Sequence, residues 1–399
     1  MDFASTRHEN DAKLLSRLDG IRSGRDLEVL EPFAKAYLGL YYDIDSRIPA
    51  NERVGLLAGP DLSEAVHAGF VAALQCSDLP AGGEIAGQSH EHKSQPLAFV
   101  VLAGMDLLSH NSPAAVTDLP DNVLRAAICF HLTTNTFHTD VWYDALLKAK
   151  PQLAGDALLQ LWQPMLQQDN VVLPGLHEIM QRHEYQPVLA HVLIPLLRLR
   201  PDCPARELAG MLERALLEID PAELGRLIQT IIPVLETLPL RNRVYWLAAG
   251  FLLDPAQYTQ TMILFMGQEK IKLLPLLDFS QAVLKAQGQR FRLSAMGYAA
   301  LIRCLAPRFT PQEDQNGSLG EITVSVLWFF YQLACMHDAT GQEALHWLQT
   351  VRVLKLYKEV FKQMATIQQS GTLPDFPDFV AQLREKGYLR MKKKWSDVR

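Results

Sequence analysis

The chain has 399 residues, of which 48% are apolar and 21% are charged, and these ordinary globular proportions exclude wholesale disorder. The formal net charge of −6 excludes an overall positive charge of the kind that holds nucleic acid, so such binding would need a local basic segment. The five cysteines are far apart, odd in number and without a C-x-x-C pair, a pattern that argues against a disulfide framework and indicates a reducing compartment.

The N-terminal helical region, predicted at 1–110, begins with the polar stretch MDFASTRHENDAKLLSRLDG. This stretch lacks the continuous apolar core of a signal peptide, and together with the cysteines it predicts a cytoplasmic protein. Asp43 and Asp45 follow a tyrosine pair. Two carboxylates in a loop can bind a divalent cation, although such a stretch more often ends one helix and caps the next. Loop-like composition at 79–96 and 110–121 places the first boundary near residue 110.

The central region, predicted at 111–310, consists of short amphipathic helices. Apolar residues in 205–217 follow the i, i+3, i+4 spacing of one helical face. Asp220 begins the next helix as an N-cap followed by proline, and Pro233 predicts a kink in that helix. The alternation that a strand needs is nearly absent, and 321–326 is its best candidate. We therefore predict an all-α fold.

A repeat is visible in the same region. IDPAEL at 219–224 and LDPAQY at 253–258 are 34 residues apart, a period typical of helix-pair repeats. The predicted helix pairs are 187–200 with 205–217, 221–238 with 241–253, and 255–266 with 269–286. Such a pair cannot bury its own apolar surface, so its neighbours must cover it. We predict a right-handed α-solenoid of HEAT-like or tetratricopeptide-like pairs, with irregular HEAT-like units preferred because the tetratricopeptide signature is not found.

Two apolar segments raise the question of membrane insertion. Residues 244–253 and 322–336 both fall short of the roughly 20 apolar residues that a transmembrane helix needs. Each is more typical of an inner helix of a helical stack. We predict no membrane partner.

Catalytic motifs are not found. The sequence has no phosphate-binding loop, no G-x-G-x-x-G after a strand and no G-x-S-x-G elbow. His177 and His183 are six residues apart, whereas H-E-x-x-H needs a spacing of four. Among the remaining candidate metal ligands are Asp43, Asp45, His131 and His138. Because residues of this kind are more often structural, we predict no enzyme activity, cofactor or metal, and a metal-dependent helical enzyme is the least favoured alternative.

The loop-like stretch 307–320 precedes a predicted C-terminal helical cap, 311–399, which ends in a basic tail. From 384 to 399 seven basic residues stand against two acidic ones, with aromatic rings between them. Cations beside stackable rings suit a nucleic-acid backbone or an acidic partner, although tails of this kind are also often simply solvated. The candidate residues are Arg384, Lys386, Arg390, Lys392, Lys393, Lys394 and Trp395.

Several phrases of the chain resemble a known family. They are RVYWLAAGFLLDPAQY at 243–258, LIRCLAPRFTP at 301–311, FAKAYLGLYYDIDSRIPANERVGLLAG at 33–59 and FHLTTNTFHTDVWYDALL at 130–147. These phrases resemble the helical-repeat region of very large bacterial proteins that carry a NACHT-type NTPase module. The resemblance implies the sensor or scaffold part of a bacterial defence or signalling system. The chain departs from the family in having no NTPase motif, so it would be a stand-alone relative or a fragment, and no catalytic residue is carried over.

The leading hypothesis is a non-enzymatic protein-interaction scaffold or recognition module. Stacked helix pairs would present an extended surface whose polar side chains select a protein partner. The candidate partner-binding residues are Arg206, Glu213, Arg226 and Gln229. The alternative is a nucleic-acid-binding helical-repeat protein that uses the basic tail.

Overall fold

The computed structural model describes residues 2–45, 47–75, 78–91, 95–134, 141–167 and 172–266, and beyond these single residues and short stretches between 272 and 391. The chain divides into two compact units, residues 1–199 and 200–399. The described residues are helical apart from loops and one short parallel pair of strands, β1 (Gln312–Glu313) with β2 (Arg390–Met391). The predicted all-α fold is confirmed. The candidate strand at 321–326 lies outside the described residues.

Unit 1 contains thirteen described α-helices and two 3-10 turns, Leu15–Arg17 and His183–Tyr185. The helices are α1 (Phe3–Leu14), α2 (Leu18–Arg22), α3 (Leu27–Tyr37), α4 (Ala50–Leu57), α5 (Pro60–Ala73), α6 (Gly82–His90), α7 (Pro96–Asn111), α8 (Pro113–Thr117), α9 (Asp121–Thr133), α10 (Val141–Ala149), α11 (Pro151–Met165), α12 (Leu176–Gln181) and α13 (Gln186–Leu199). Helix α7 packs against α3, α5 and α9, while α11 packs against α6, α9 and α13. The predicted boundary at residue 110 therefore falls inside one compact unit.

Two glycines allow the helices of unit 1 to approach backbone to backbone. A Cβ at Gly104 on α7 would collide with the Phe70 carbonyl of α5 and lie 3.2 Å from Leu74 Cγ. A Cβ at Gly69 on α5 would collide with the Ile21 carbonyl of α2. Because backbone atoms cannot rotate away as a side chain can, only glycine fits these crossings without a shift of a helix.

Unit 2 begins with four described α-helices, α14 (Ala205–Glu218), α15 (Pro221–Ile231), α16 (Leu240–Leu253) and α17 (Pro255–Met266). Their bounds lie close to the helices predicted from the repeat. Helix α16, which carries the all-apolar segment, packs against α14, α15 and α17. Its residues Trp246, Ala248 and Ala249 are fully buried. The last predicted helix, 269–286, lies largely outside the described residues.

The predicted N-cap of α15 is present, and the α-helical geometry changes next to Pro233, where a kink is predicted. The Asp220 carboxylate accepts a hydrogen bond from the Ala222 N–H at 2.7 Å, which satisfies one free donor at the start of the helix. Helix α15 ends at Ile231 and continues as a 3-10 turn, Ile232–Thr237. Pro233 explains this change, because proline has no N–H to donate and its ring disfavours the α-helical turn before it.

The loop before α14 is held by side chains of α16. The Asn242 amide donates to the carbonyl of Cys203 at 2.8 Å, and the Trp246 indole N–H donates to the carbonyl of Pro201 at 3.0 Å. Both donors lie on buried side chains, so these bonds meet a hydrogen-bonding requirement that solvent cannot meet.

Within the described part of the chain, the helices are too short or too polar to cross a lipid bilayer.

Candidate functional site

The candidate site is a recess of about 680 Å³ in unit 1. It is formed by α3, by the loop before α6, by α6 itself, by the start of α7 and by Phe130 of α9. Ligand-binding pockets in proteins commonly have volumes of about 300–1,000 Å³. The recess therefore has the size of a site for a small molecule or for a few residues of a peptide.

Apolar side chains form one part of the lining. They are Leu27, Leu79, Pro80, Pro96, Leu97 and Phe130. Phe130 is buried, while the other five are half-buried. A ligand that covered these exposed apolar surfaces would gain roughly 25 cal/mol for each Å² removed from water.

Carboxylates form the second part of the lining, namely Glu28, Glu31, Asp78 and Glu84. Glu31 pairs with Lys35 at 2.7 Å, and Glu28 lies 3.6 Å from the guanidinium of Arg17. The Glu84 carboxylate accepts from the Ala81 N–H at 3.0 Å, which caps the start of α6. Among the described lining residues none is basic.

The amide of Gln95 adds an unsatisfied acceptor to the lining. Its nitrogen donates to the carbonyl of Ile85 in a long bond of 3.4 Å. Its oxygen is buried and accepts no hydrogen bond from the described residues. A buried acceptor without a donor costs free energy.

A second charged cluster lies on α10 and around α12, and its charged side chains are already paired with one another. The Arg182 guanidinium donates to Asp144 at 2.7 Å, to Glu178 at 3.1 Å and to Glu184 at 3.0 Å, and it lies 4.4 Å above the Tyr185 ring. Burial alone would raise the pKa of Asp144, but hydrogen bonds from Lys148 and Tyr185 outweigh it and lower that pKa. These partners join three elements of unit 1, so the cluster is a structural clamp.

The candidate metal ligands within the described residues do not form a metal-binding cluster. The Asp45 carboxylate is held by the Arg47 guanidinium at 2.6 Å, and these hydrogen bonds lower its pKa to about 2. His131 packs on the Tyr143 ring with 4.2 Å between centroids, and it lies edge-on to Trp142. His138 lies outside the described residues. Within the described ranges no three His, Cys, Asp or Glu side chains are placed to hold a metal ion together.

The two cysteines whose surroundings are described have thiols of low reactivity. Cys129 and Cys203 are buried, and burial raises the pKa of each thiol to about 12. A thiol that stays protonated at neutral pH is a poor nucleophile. Cys129, which lies two residues before His131 on α9, is therefore a poor candidate for a catalytic nucleophile.

The predicted partner-binding residues lie on two helices of unit 2. Arg206 and Glu213 are on α14, and Arg226 and Gln229 are on α15. Three of them are exposed, whereas Glu213 is half-buried, and this burial raises its pKa.

The tail residues Arg384, Lys386, Lys392, Lys393, Lys394 and Trp395 lie outside the described residues. The backbone of Arg390 belongs to β2.

Sequence reasoning missed the recess. Its carboxylates come from 28 and 31 on α3, from 78 in the loop before α6 and from 84 on α6, so no local motif contains them. The signals that were present are the i, i+3 glutamates of α3 and the loop-like composition at 79–96. Neither shows which surface it will face before the helices are packed.

Comparison with protein-family models, with curated proteins and with solved structures gives no match for this chain.

Proposed function

We propose that this chain is a non-enzymatic protein-interaction scaffold, and that the recess of unit 1 is its recognition site. The recess carries the proposal, because it combines half-buried apolar side chains with hydrogen-bond acceptors in a volume of about 680 Å³. Such a combination is typical of binding pockets. The groups that could have served catalysis support a binding role, since Asp45, Asp144 and Cys129 each have a structural partner or a structural burial.

We propose in addition that the helix pairs stack as a HEAT-like α-solenoid. The support is α16, which is buried by helices on more than one side, as the inner helix of a repeat stack is. The exposed faces of α14 and α15, with Arg206 and Arg226, are then a second surface for a partner. The resemblance to helical-repeat regions of NACHT-type NTPases supports a role in bacterial defence or signalling.

The test is affinity capture with the tagged full chain and three variants. Leu79→Arg introduces a guanidinium group into the lining of the recess. Leu264→Arg makes the same substitution on α17, at a side chain that is 71% exposed. The third variant replaces Arg206, Glu213, Arg226 and Gln229 by alanine. Far-UV circular dichroism first checks that all variants keep their helix content.

We expect a stoichiometric protein to be retained by the wild type and by Leu264→Arg, and to be lost with Leu79→Arg. Retention of the same protein by Leu79→Arg would contradict recognition by the recess. Loss with the four-alanine variant alone would assign recognition to α14 and α15 instead.

The basic tail supports a second candidate function, nucleic-acid binding. If the tail makes phosphate contacts, removal of 384–399 lowers affinity for single-stranded nucleic acid and reduces the dependence of that affinity on salt. An unchanged affinity after this deletion would remove the candidate.

A further inference from the structure

We infer that α1 is a latch on unit 1, which opens and closes while the helices beneath it stay folded. In the closed state α1 covers the junction at which α4 ends and α5 begins, and opening exposes that junction. The inference does not depend on the recess, whose described lining residues begin at Leu27.

Helix α1 buries little apolar surface. None of its residues is buried, whereas most residues of α7 are. Phe3 and Leu14, the large apolar side chains of α1, are only half-buried. The ion pair described for α1, Lys13 with Glu9 at 3.5 Å, joins two residues of the helix itself. Because burial of apolar surface is the main force that holds a helix in place, α1 is weakly attached to its neighbours.

The contact between α1 and α4 is also incomplete. A groove of about 380 Å³ lies where the two helices meet, and Phe3, Arg7, Gly55 and Leu56 are among its lining residues. Atoms that face a groove lack partner atoms on that side, so they gain little dispersion attraction. The groove therefore weakens the closed state further.

Two described hydrogen bonds hold the latch closed, and both reach backbone groups at the junction. The Asn10 amide donates to the carbonyl of Leu57 at 2.7 Å, and the Asp11 carboxylate accepts from the N–H of Gly59 at 2.7 Å. Leu57 is the last residue of α4, and Gly59 is the N-cap of α5. Groups at these helix ends lack partners within their own helices, and water serves them after opening. Release of α1 therefore leaves neither group buried without a partner.

A hinge lies directly after α1. The 3-10 turn Leu15–Arg17 separates α1 from α2, and a 3-10 stretch between α-helical stretches often marks a hinge. Leu15 is exposed, so few contacts resist a change of backbone angles there. On the far side α2 is anchored, because Ile21 is fully buried and Arg17 is bound to Asp26 at 2.6 and 2.7 Å. Opening therefore stops before α2.

The test is hydrogen exchange of the full chain under native conditions, with three variants. Gly59→Ala is the opening variant, because a Cβ at Gly59 would collide with the Asp11 carboxylate. The backbone angles of Gly59, φ −69° and ψ 173°, suit alanine. Asn10→Ala removes the other hydrogen bond. The matched control is Gly55→Ala on α4, where a Cβ has nothing within 4 Å. Trypsin cleavage after Lys13 is a second readout, since it tracks the population of the open state when opening is fast.

We expect amides of α1 in the wild-type chain to exchange about 100-fold faster than those of α5 and α7, and still slower than in an unfolded peptide. Gly59→Ala should raise α1 exchange and cleavage after Lys13 about tenfold, the effect of losing one hydrogen bond to a charged group. Asn10→Ala should act in the same direction. Exchange in α7, and in α5 beyond its first turn, should stay unchanged. Gly55→Ala should leave α1 as it is in the wild type.

Four results would overturn the inference. Exchange of α1 at the rate of α5 and α7 would show that unit 1 unfolds as a whole. Exchange at the rate of an unfolded peptide would show that α1 does not close. If Gly59→Ala leaves α1 unchanged, the junction does not hold it. If Gly59→Ala speeds exchange throughout unit 1, α1 belongs to the cooperative core of that unit.

Discussion

Replacing Gly104 by alanine tests whether the backbone contact between α5 and α7 limits the stability of unit 1. In an exposed helix interior the same change stabilises by up to about 1 kcal/mol, because alanine has the higher helix propensity. At Gly104 the new methyl group meets the carbonyl of Phe70 and lies 3.2 Å from Leu74 Cγ. Overpacking of this kind costs about 1–3 kcal/mol and sometimes more, and contact with backbone places it at the upper end.

The expected net effect is a loss of about 2 kcal/mol in the free energy of unfolding, which is a factor of about 30 in the folded-to-unfolded ratio. Gly55 of α4 is the matched control, since a Cβ built there has nothing within 4 Å. Gly55→Ala should therefore stabilise by up to about 1 kcal/mol.

Urea denaturation followed by far-UV circular dichroism measures both effects. Hydrogen exchange of peptides from α5 and α7 then identifies the transition that belongs to unit 1. If Gly104→Ala stabilises the chain as much as Gly55→Ala does, α5 and α7 can move apart without a loss in the free energy of unfolding. The close contact between these helices would then not limit stability.

Two further predictions concern single side chains. His67 packs edge-on against Tyr37 and Phe70, and burial lowers the pKa of its imidazole. As pH falls below about 6.5, the imidazole is therefore protonated more readily in the unfolded chain than in the folded one, and the free energy of unfolding decreases. His67→Phe should make the melting temperature depend less on pH between about 5.5 and 7.5, and an unchanged dependence would contradict the assignment. Asp220→Ala should cost about 0.5–2 kcal/mol through loss of the cap on Ala222, while Asp220→Asn should cost little; equal losses in urea denaturation would refute the capping role.

The helices of unit 2 could be read from the sequence because their causes are local. Periodicity in 205–217, the cap at Asp220 and the proline at 233 act on their own neighbours along the chain, so each could be located without a fold. The burial of α16 followed from its composition, since a helix with no polar face must be covered on several sides. Helix bounds were therefore predicted closely.

The recess and the ion-pair cluster around Arg182 could not be predicted from local sequence patterns. Arg182 and Asp144 are 38 residues apart in sequence, and the carboxylates of the recess come from two segments separated by more than 40 residues. Asp45 shows the opposite failure, because a local motif suggested a metal ligand whose oxygens are bound to Arg47. Contacts between distant segments depend on helix packing, which no local pattern specifies.

Side chains of α16 hold the loop at Pro201 and Cys203, and these contacts limit how far unit 2 can be shortened at its N-terminal end. A fragment that starts at Ala205 would remove the carbonyls that serve the amide of Asn242 and the indole of Trp246. Each buried donor left without an acceptor costs about 1–3 kcal/mol, a large share of the stability of a single domain. The four residues 201–204, which contain no helix, thus belong to the smallest piece of unit 2 that can be isolated, and this piece begins no later than Pro201.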